Sequence, residues 1–163
     1  MATSAAPTGS EPQGQVSIEQ QVRELVDRSE IEQLVNRYAH AVRKGDIDTV
    51  MSLFVGAGAS IDFESAIQGT ADTQGADDVR KVYEQGFADM RPWPMLTDHL
   101  IEFQSPTEAT GEVLIQFRSG TAGYQVTLIG VYHDTYVKQS GAWKFKARKS
   151  TVMHTPTFET AQA

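Results

Sequence analysis

Asp98 and His99 stand side by side, a carboxylate next to an imidazole, the two side-chain types that most often serve as general acid or base. Neighbours on a strand face opposite sides, so only one of them shares a face with Leu96 unless a bulge intervenes. Even spacing gives that face to Asp98, and dry surroundings make a carboxylate a stronger base, so Asp98 is the expected base and His99 its alternative. Tyr38 lies on an apolar stripe. Its hydroxyl serves either as a donor to a developing oxyanion or as a core group bonded to backbone. Arg43 closes the same stripe and can bind an anion or pair with Asp98; the other reading is a solvated arginine at a helix C-terminus. Arg148 and His154 offer a second cation and a second imidazole; the other reading of each is an ordinary surface residue.

Other chemistries are excluded or unsupported. The 163 residues contain no cysteine, which rules out disulfides and thiolate catalysis. Histidines 40, 99, 133 and 154 share no ligand spacing, so no metal site is expected. No glycine-rich segment follows a strand-to-helix phosphate pattern, no G-x-S-x-G occurs, and no cofactor is expected. A net charge of −7 disfavours a broad nucleic-acid footprint. No apolar run reaches the roughly 18 residues of a membrane span.

The elements that must position these groups follow from periodicity. Ser17 and Gln20 have capping-box spacing. Ile18, Val22, Leu25, Val26, Leu34, Val35, Tyr38 and Val42 then mark one long amphipathic helix, with room for a break over 27–30. Lys44 and Gly45 end it, and Asp46 caps a second helix carrying Val50, Leu53 and Phe54. A short strand is expected over 61–63. A third helix carries Val79, Val82, Tyr83, Phe87 and Met90, and Pro92 and Pro94 stop it. Stretches 96–103, 111–118, 124–138 and 142–153 are rich in β-branched and aromatic residues and separated by turn chemistry, which predicts an antiparallel meander. The fold class is therefore α+β, with a flexible tail over 1–15, one domain over 16–158 and a C-terminal tail over 159–163. The tail lacks the pattern of a secretory signal, and a cytoplasmic location is expected.

Strand alternation places Tyr124 and Tyr132 on one face with Asp134, and His133 on the other. Asp134 is expected to bond to backbone or to pair with Lys144 or Lys146. Alternation from Trp143 and Phe145 sends Arg148 to the face opposite those rings.

The order helix, helix, strand, helix, curved sheet resembles the nuclear transport factor 2-like cone, and within it the SnoaL-like branch. The residues that carry the resemblance are Ile31 to Val42, Gly45-Asp46, Leu53-Phe54, Gly130 to Tyr136, Trp143-Lys144-Phe145 and Arg148. It implies a cone-shaped antiparallel or mixed sheet closed by three helices around an apolar cavity for a small molecule. It also implies a cofactor-free isomerase, dehydratase or cyclase acting on an apolar, fused-ring substrate by proton transfer. A non-catalytic binding or accessory protein and a shape-driven cyclase are the alternatives. On this resemblance Trp93, Phe54, Phe63, Tyr124, Tyr132, Arg148 and His154 contact substrate, while Asp98, Tyr38, His99 and Arg43 do the chemistry. An oligomer, dimer or trimer, is implied by the outer face of the sheet. In the family's dehydratases an aspartate orients a histidine; the matching positions here hold Arg43 and Pro94, which cannot work as that pair.

Overall fold

The computed structural model describes residues 16–65, 69–121, 123 and 125–154; the two tails, residues 155–158 and Tyr124 lie outside them. The elements are α1 (Ile18–Lys44), α2 (Ile47–Ser52), β1 (Ser60–Ser65), β2 (Gly69–Gln74), α3 (Ala76–Met90), β3 (Pro92–Ser105), β4 (Glu108–Ser119), β5 (Gln125–Gln139) and β6 (Ala142–His154). This is the expected α+β architecture, three helices on one mixed sheet.

Helix α1 begins with the complete Ser17–Gln20 capping box and ends on Gly45 at φ 68°. It runs without the break anticipated near 27–30, because those residues tie it to the sheet. Asp27 accepts the Trp143 indole N–H at 2.9 Å and takes the Lys138 ammonium, and Arg28 donates to the Ile101 carbonyl at 3.0 Å. The apolar face splits at that point. Ile31, Leu34, Val35 and Tyr38 are 0–3% exposed, whereas Ile18 and Leu25 are 75% and 65% exposed, so the first turns bury nothing within the described residues.

The sheet order is β2-β1-β6-β5-β4-β3; β1 pairs with β6 in parallel and every other pair is antiparallel. Strand β2 escapes the sequence reading because Gly69–Gln74 alternates no apolar residues. Strand β3 starts at Pro92, earlier than expected. It lies at the sheet edge, where missing proline N–H groups are tolerated.

Two bulges decide what enters the core. In β3, Thr97 faces Leu114 and the next paired residue, Leu100, faces Glu112, so Asp98 and His99 together oppose Val113. Asp98 takes φ 50°, a left-handed conformation that aspartate accepts more readily than most residues. The inward set therefore changes from Pro92, Pro94 and Leu96 to His99, Ile101 and Phe103. In β6, Phe145 faces Tyr136 and Ala147 faces Thr135, leaving Lys146 unpaired. That extra residue turns Arg148 inward, onto the side of Trp143 and Phe145.

Candidate active site

The site grows from one buried ion pair. Arg148 donates from Nε to Asp134 Oδ1 and from Nη2 to Asp134 Oδ2, both at 2.7 Å, and neither side chain has any exposed surface. Its guanidinium carbon lies 4.1 Å from the ring centres of Tyr38 and Tyr132 and 4.3 Å from that of Phe145. Burial alone disfavours the charge, but the Asp134 carboxylate, by charge and by hydrogen bond, more than reverses that effect, so Arg148 stays protonated. Arg148 Nη1 is buried without a hydrogen-bond partner among the described residues.

Two arms of polar groups leave this pair. In the first, Tyr136 donates to Asp134 Oδ2 at 2.9 Å, and His99 Nε2 lies 3.1 Å from the Tyr136 hydroxyl. In the second, the Tyr83 hydroxyl donates to that of Tyr38 at 3.2 Å, and the Tyr38 and Tyr132 hydroxyls are 3.5 Å apart. Burial raises the phenols of Tyr83 and Tyr132 well above the ordinary tyrosine range, so both remain protonated donors. Three hydroxyls joined by two contacts use two protons. One O–H, on Tyr132 or Tyr38, is left to offer to an acceptor.

An aromatic rim surrounds the second arm. Phe63 stacks on Tyr132 at 6.1 Å and meets Tyr83 edge-on at 5.9 Å, Phe87 lies 6.2 Å from Tyr83, and Phe117 lies 6.2 Å from Tyr132. Phe63, Phe87, Leu96, Phe117 and Leu128 are only half-buried against the core.

The sequence-derived assignments divide accordingly. Tyr38, Tyr132, Phe54 and Phe63 come together with Arg148, which the bulge in β6 brings inside against the strict alternation. Phe54 packs on Phe145 at 5.1 Å behind the site. Asp98 is exposed on its bulge, and His99 takes the inward place expected of it. Asp134 pairs with Arg148 rather than with Lys144 or Lys146. Arg43 does not meet Asp98; it donates to the Pro94 carbonyl at 3.0 Å and lies 6.0 Å from the ring of Trp93, which is 40% exposed. His154 is exposed at the end of β6, and Tyr124 is outside the described residues. His133 faces outward and meets Glu112 at 3.2 Å, within a trough of about 500 Å³ on the opposite face of the sheet. Among the described residues no group of side chains could hold a metal ion, and no helix is long and apolar enough to cross a membrane.

Tyr83, Tyr136 and Asp134 carry the network and were not picked out as site residues. A signal existed: Tyr132, Asp134 and Tyr136 occupy one strand face, and a carboxylate between two inward tyrosines demands a buried cation.

The family model for the SnoaL-like domain matches residues 23–149, and the chain belongs to that family. A provisionally named scytalone dehydratase from Novosphingobium aromaticivorans has 24% identity and a TM-score of 0.69, over 88% of this chain and 95% of that one. A nuclear transport factor 2-like protein with a cystatin-like fold, from the same organism, has 18% identity and a TM-score of 0.70, over 86% and 92%. A hexachlorocyclohexane dehydrochlorinase (LinA type 2) has 20% identity and a TM-score of 0.67, over 88% and 97%. At these identities the likeness is one of fold. No curated protein matches the sequence.

The buried pair makes a prediction about stability. Asp134→Asn leaves an uncompensated guanidinium and is expected to cost about 3–5 kcal/mol in urea unfolding, whereas the double change Asp134→Leu with Arg148→Met recovers most of that loss. Equal losses in the single and double variants would mean that the two charges are not coupled.

Proposed function

We propose that this SnoaL-like chain is a cofactor-free enzyme that moves a proton on an apolar, fused-ring small molecule bearing a carbonyl group. The observation that carries the reading is the three-hydroxyl chain with one O–H to spare, set against a buried guanidinium inside an aromatic rim. Hydroxyls kept protonated by burial, with Arg148 beneath their rings, suit a carbonyl oxygen on which negative charge develops. The unpartnered Nη1 of Arg148 adds a second buried donor.

His99 is the base in this proposal. It and Tyr132 lie on one face of the sheet with Val113 on the strand between them, a span of about 10 Å at ordinary strand spacing, which suits a fused-ring substrate. The proton on the carbon next to the carbonyl passes to His99, and the electron pair moves onto oxygen against the tyrosine donor. Return of the proton at another carbon completes an isomerisation. Loss of a hydroxyl from the next carbon as water, taking the proton back from His99, completes a dehydration; attack of the enolate carbon on a second carbonyl, whose oxygen takes that proton, completes a cyclisation. Burial lowers the imidazole below its usual range, so His99 is neutral and able to accept a proton at neutral pH.

One observation favours a second reading, a non-catalytic binding protein of the same fold. Arg43, at the position of the family's aspartate, is bound to the backbone of Pro94, at the position of its histidine. Both readings include a cytoplasmic dimer or trimer, which light scattering decides: two or three times 17.9 kDa is expected, and a stable monomer contradicts it.

Deuterium exchange next to the carbonyl separates enzyme from binder without knowledge of the natural product. In D2O the native protein should accelerate exchange of fused-ring ketones above the buffer rate, and the double variant Tyr38→Phe with Tyr132→Phe and the single variant His99→Gln should each lose about 10²-fold. No acceleration with any ketone of a ring-size series, or undiminished acceleration in both variants, would overturn the reading.

A further inference from the structure

The hydroxyl of Tyr136 has one proton, and Asp134 Oδ2 takes it at 2.9 Å, because an ionised carboxylate only accepts. The Tyr136 oxygen is then an acceptor toward His99, and the 3.1 Å contact from Nε2 must be an N–H donated by the imidazole. In the neutral ring that leaves the lone pair on Nδ1. Asp134 is itself fixed, since both of its oxygens are held by Arg148. The chain Arg148–Asp134–Tyr136 therefore dictates the proton position on a residue three contacts from the guanidinium.

The backbone is arranged to permit this contact. A Cβ added at Gly111 would lie 2.8 Å from Tyr136 Cε2, 3.0 Å from His99 Nε2 and 3.0 Å from the Leu100 carbonyl oxygen. Only glycine leaves the slot in which the imidazole and the phenol meet. The bulge at Asp98 supplies the other half of the arrangement by turning His99 into that slot. The charged groups around the imidazole are Glu32 and Arg28 from α1 and the Asp134–Arg148 pair from the sheet.

We propose that Tyr136, Asp134 and Gly111 are positioning residues for His99, holding it as the Nε2–H tautomer with Nδ1 as the proton acceptor. This rests on the reading of His99 as base given above, and it supplies what the aspartate of an aspartate–histidine base would supply: a fixed tautomer and a fixed ring plane. Here the carboxylate acts through an intervening phenol.

Nuclear magnetic resonance of the full-length protein labelled with ¹⁵N in histidine tests the chain directly. In the native protein above the titration of His99, Nε2 should carry a slowly exchanging proton visible in the spectrum, and Nδ1 should show an unprotonated shift. Tyr136→Phe removes the acceptor while keeping the ring, and the Nε2–H signal should vanish into exchange with water. Gly111→Ala should have the same effect by pushing the two rings apart, with the fold of each variant checked by its amide spectrum. A proton on Nδ1 of the neutral native ring, or an Nε2–H signal unchanged in Tyr136→Phe, overturns the proposal. In the ketone exchange assay Tyr136→Phe should lose about tenfold in rate. If the signals behave as expected but His99→Gln exchanges ketones as fast as the native protein, the positioning chain stands and the base reading falls.

Discussion

A fully buried arginine–aspartate pair in a chain of this size is a severe constraint, because removing two charges from water costs several kcal/mol per ion unless their partners are well placed. Arg148 and Asp134 meet that demand with two parallel 2.7 Å bonds, a third bond from Tyr136 and three rings around the guanidinium. Much of the interior is arranged around that requirement. The bulge in β6 aims the arginine inward, the alternation of β5 supplies Tyr132, Asp134 and Tyr136, and α1 presents Tyr38 over the cation. What the pair leaves unused is Arg148 Nη1, buried without a hydrogen-bond partner among the described residues.

The two arms have different chemical characters. On one side, phenols held protonated by burial sit among half-open aromatic rings, a setting for an uncharged ring system with one polar edge. On the other, a half-buried imidazole is connected to a carboxylate through a phenol. Arg43 and Pro94, at the positions where the resemblance places the aspartate and histidine of the family's dehydratases, are joined by a bond that Arg43 donates to the Pro94 carbonyl. On the proposed function the base lies five residues further along β3, at His99, which faces inward only because the strand is bulged.

The helical periodicity, the caps at Ser17 and Asp46 and the meander were legible because each is a local signal repeated over many residues. Family membership was legible for the same reason, as an order of motifs rather than any single motif. The inward residues of β3 and β6 were misread because side-chain alternation has a period of two, and one extra residue inverts everything beyond it. Asp98 and His99 exchanged faces for that reason, and Arg148 came inside for that reason. Asp98 owes its place to tolerance of φ 50° rather than to its charge. The sequence offers Asp134 the backbone or Lys144 and Lys146 as partners, and only the bulge at Lys146 reveals that Arg148 lies opposite it. Gly111 carried no signal at all, since its value is the absence of a side chain between two others.

On the proposed function, the interior stabilises negative charge on an oxygen attached to a ring system. Naphthol is the simplest probe of it, an aromatic pair of rings whose hydroxyl ionises above neutral pH when free in water. Its absorption spectrum in complex with the native protein should be that of the anion at a pH where the free compound is neutral, and Tyr38→Phe combined with Tyr132→Phe should restore the neutral spectrum. A bound naphthol that stays neutral, or naphthalene binding as tightly as naphthol, would contradict the claim.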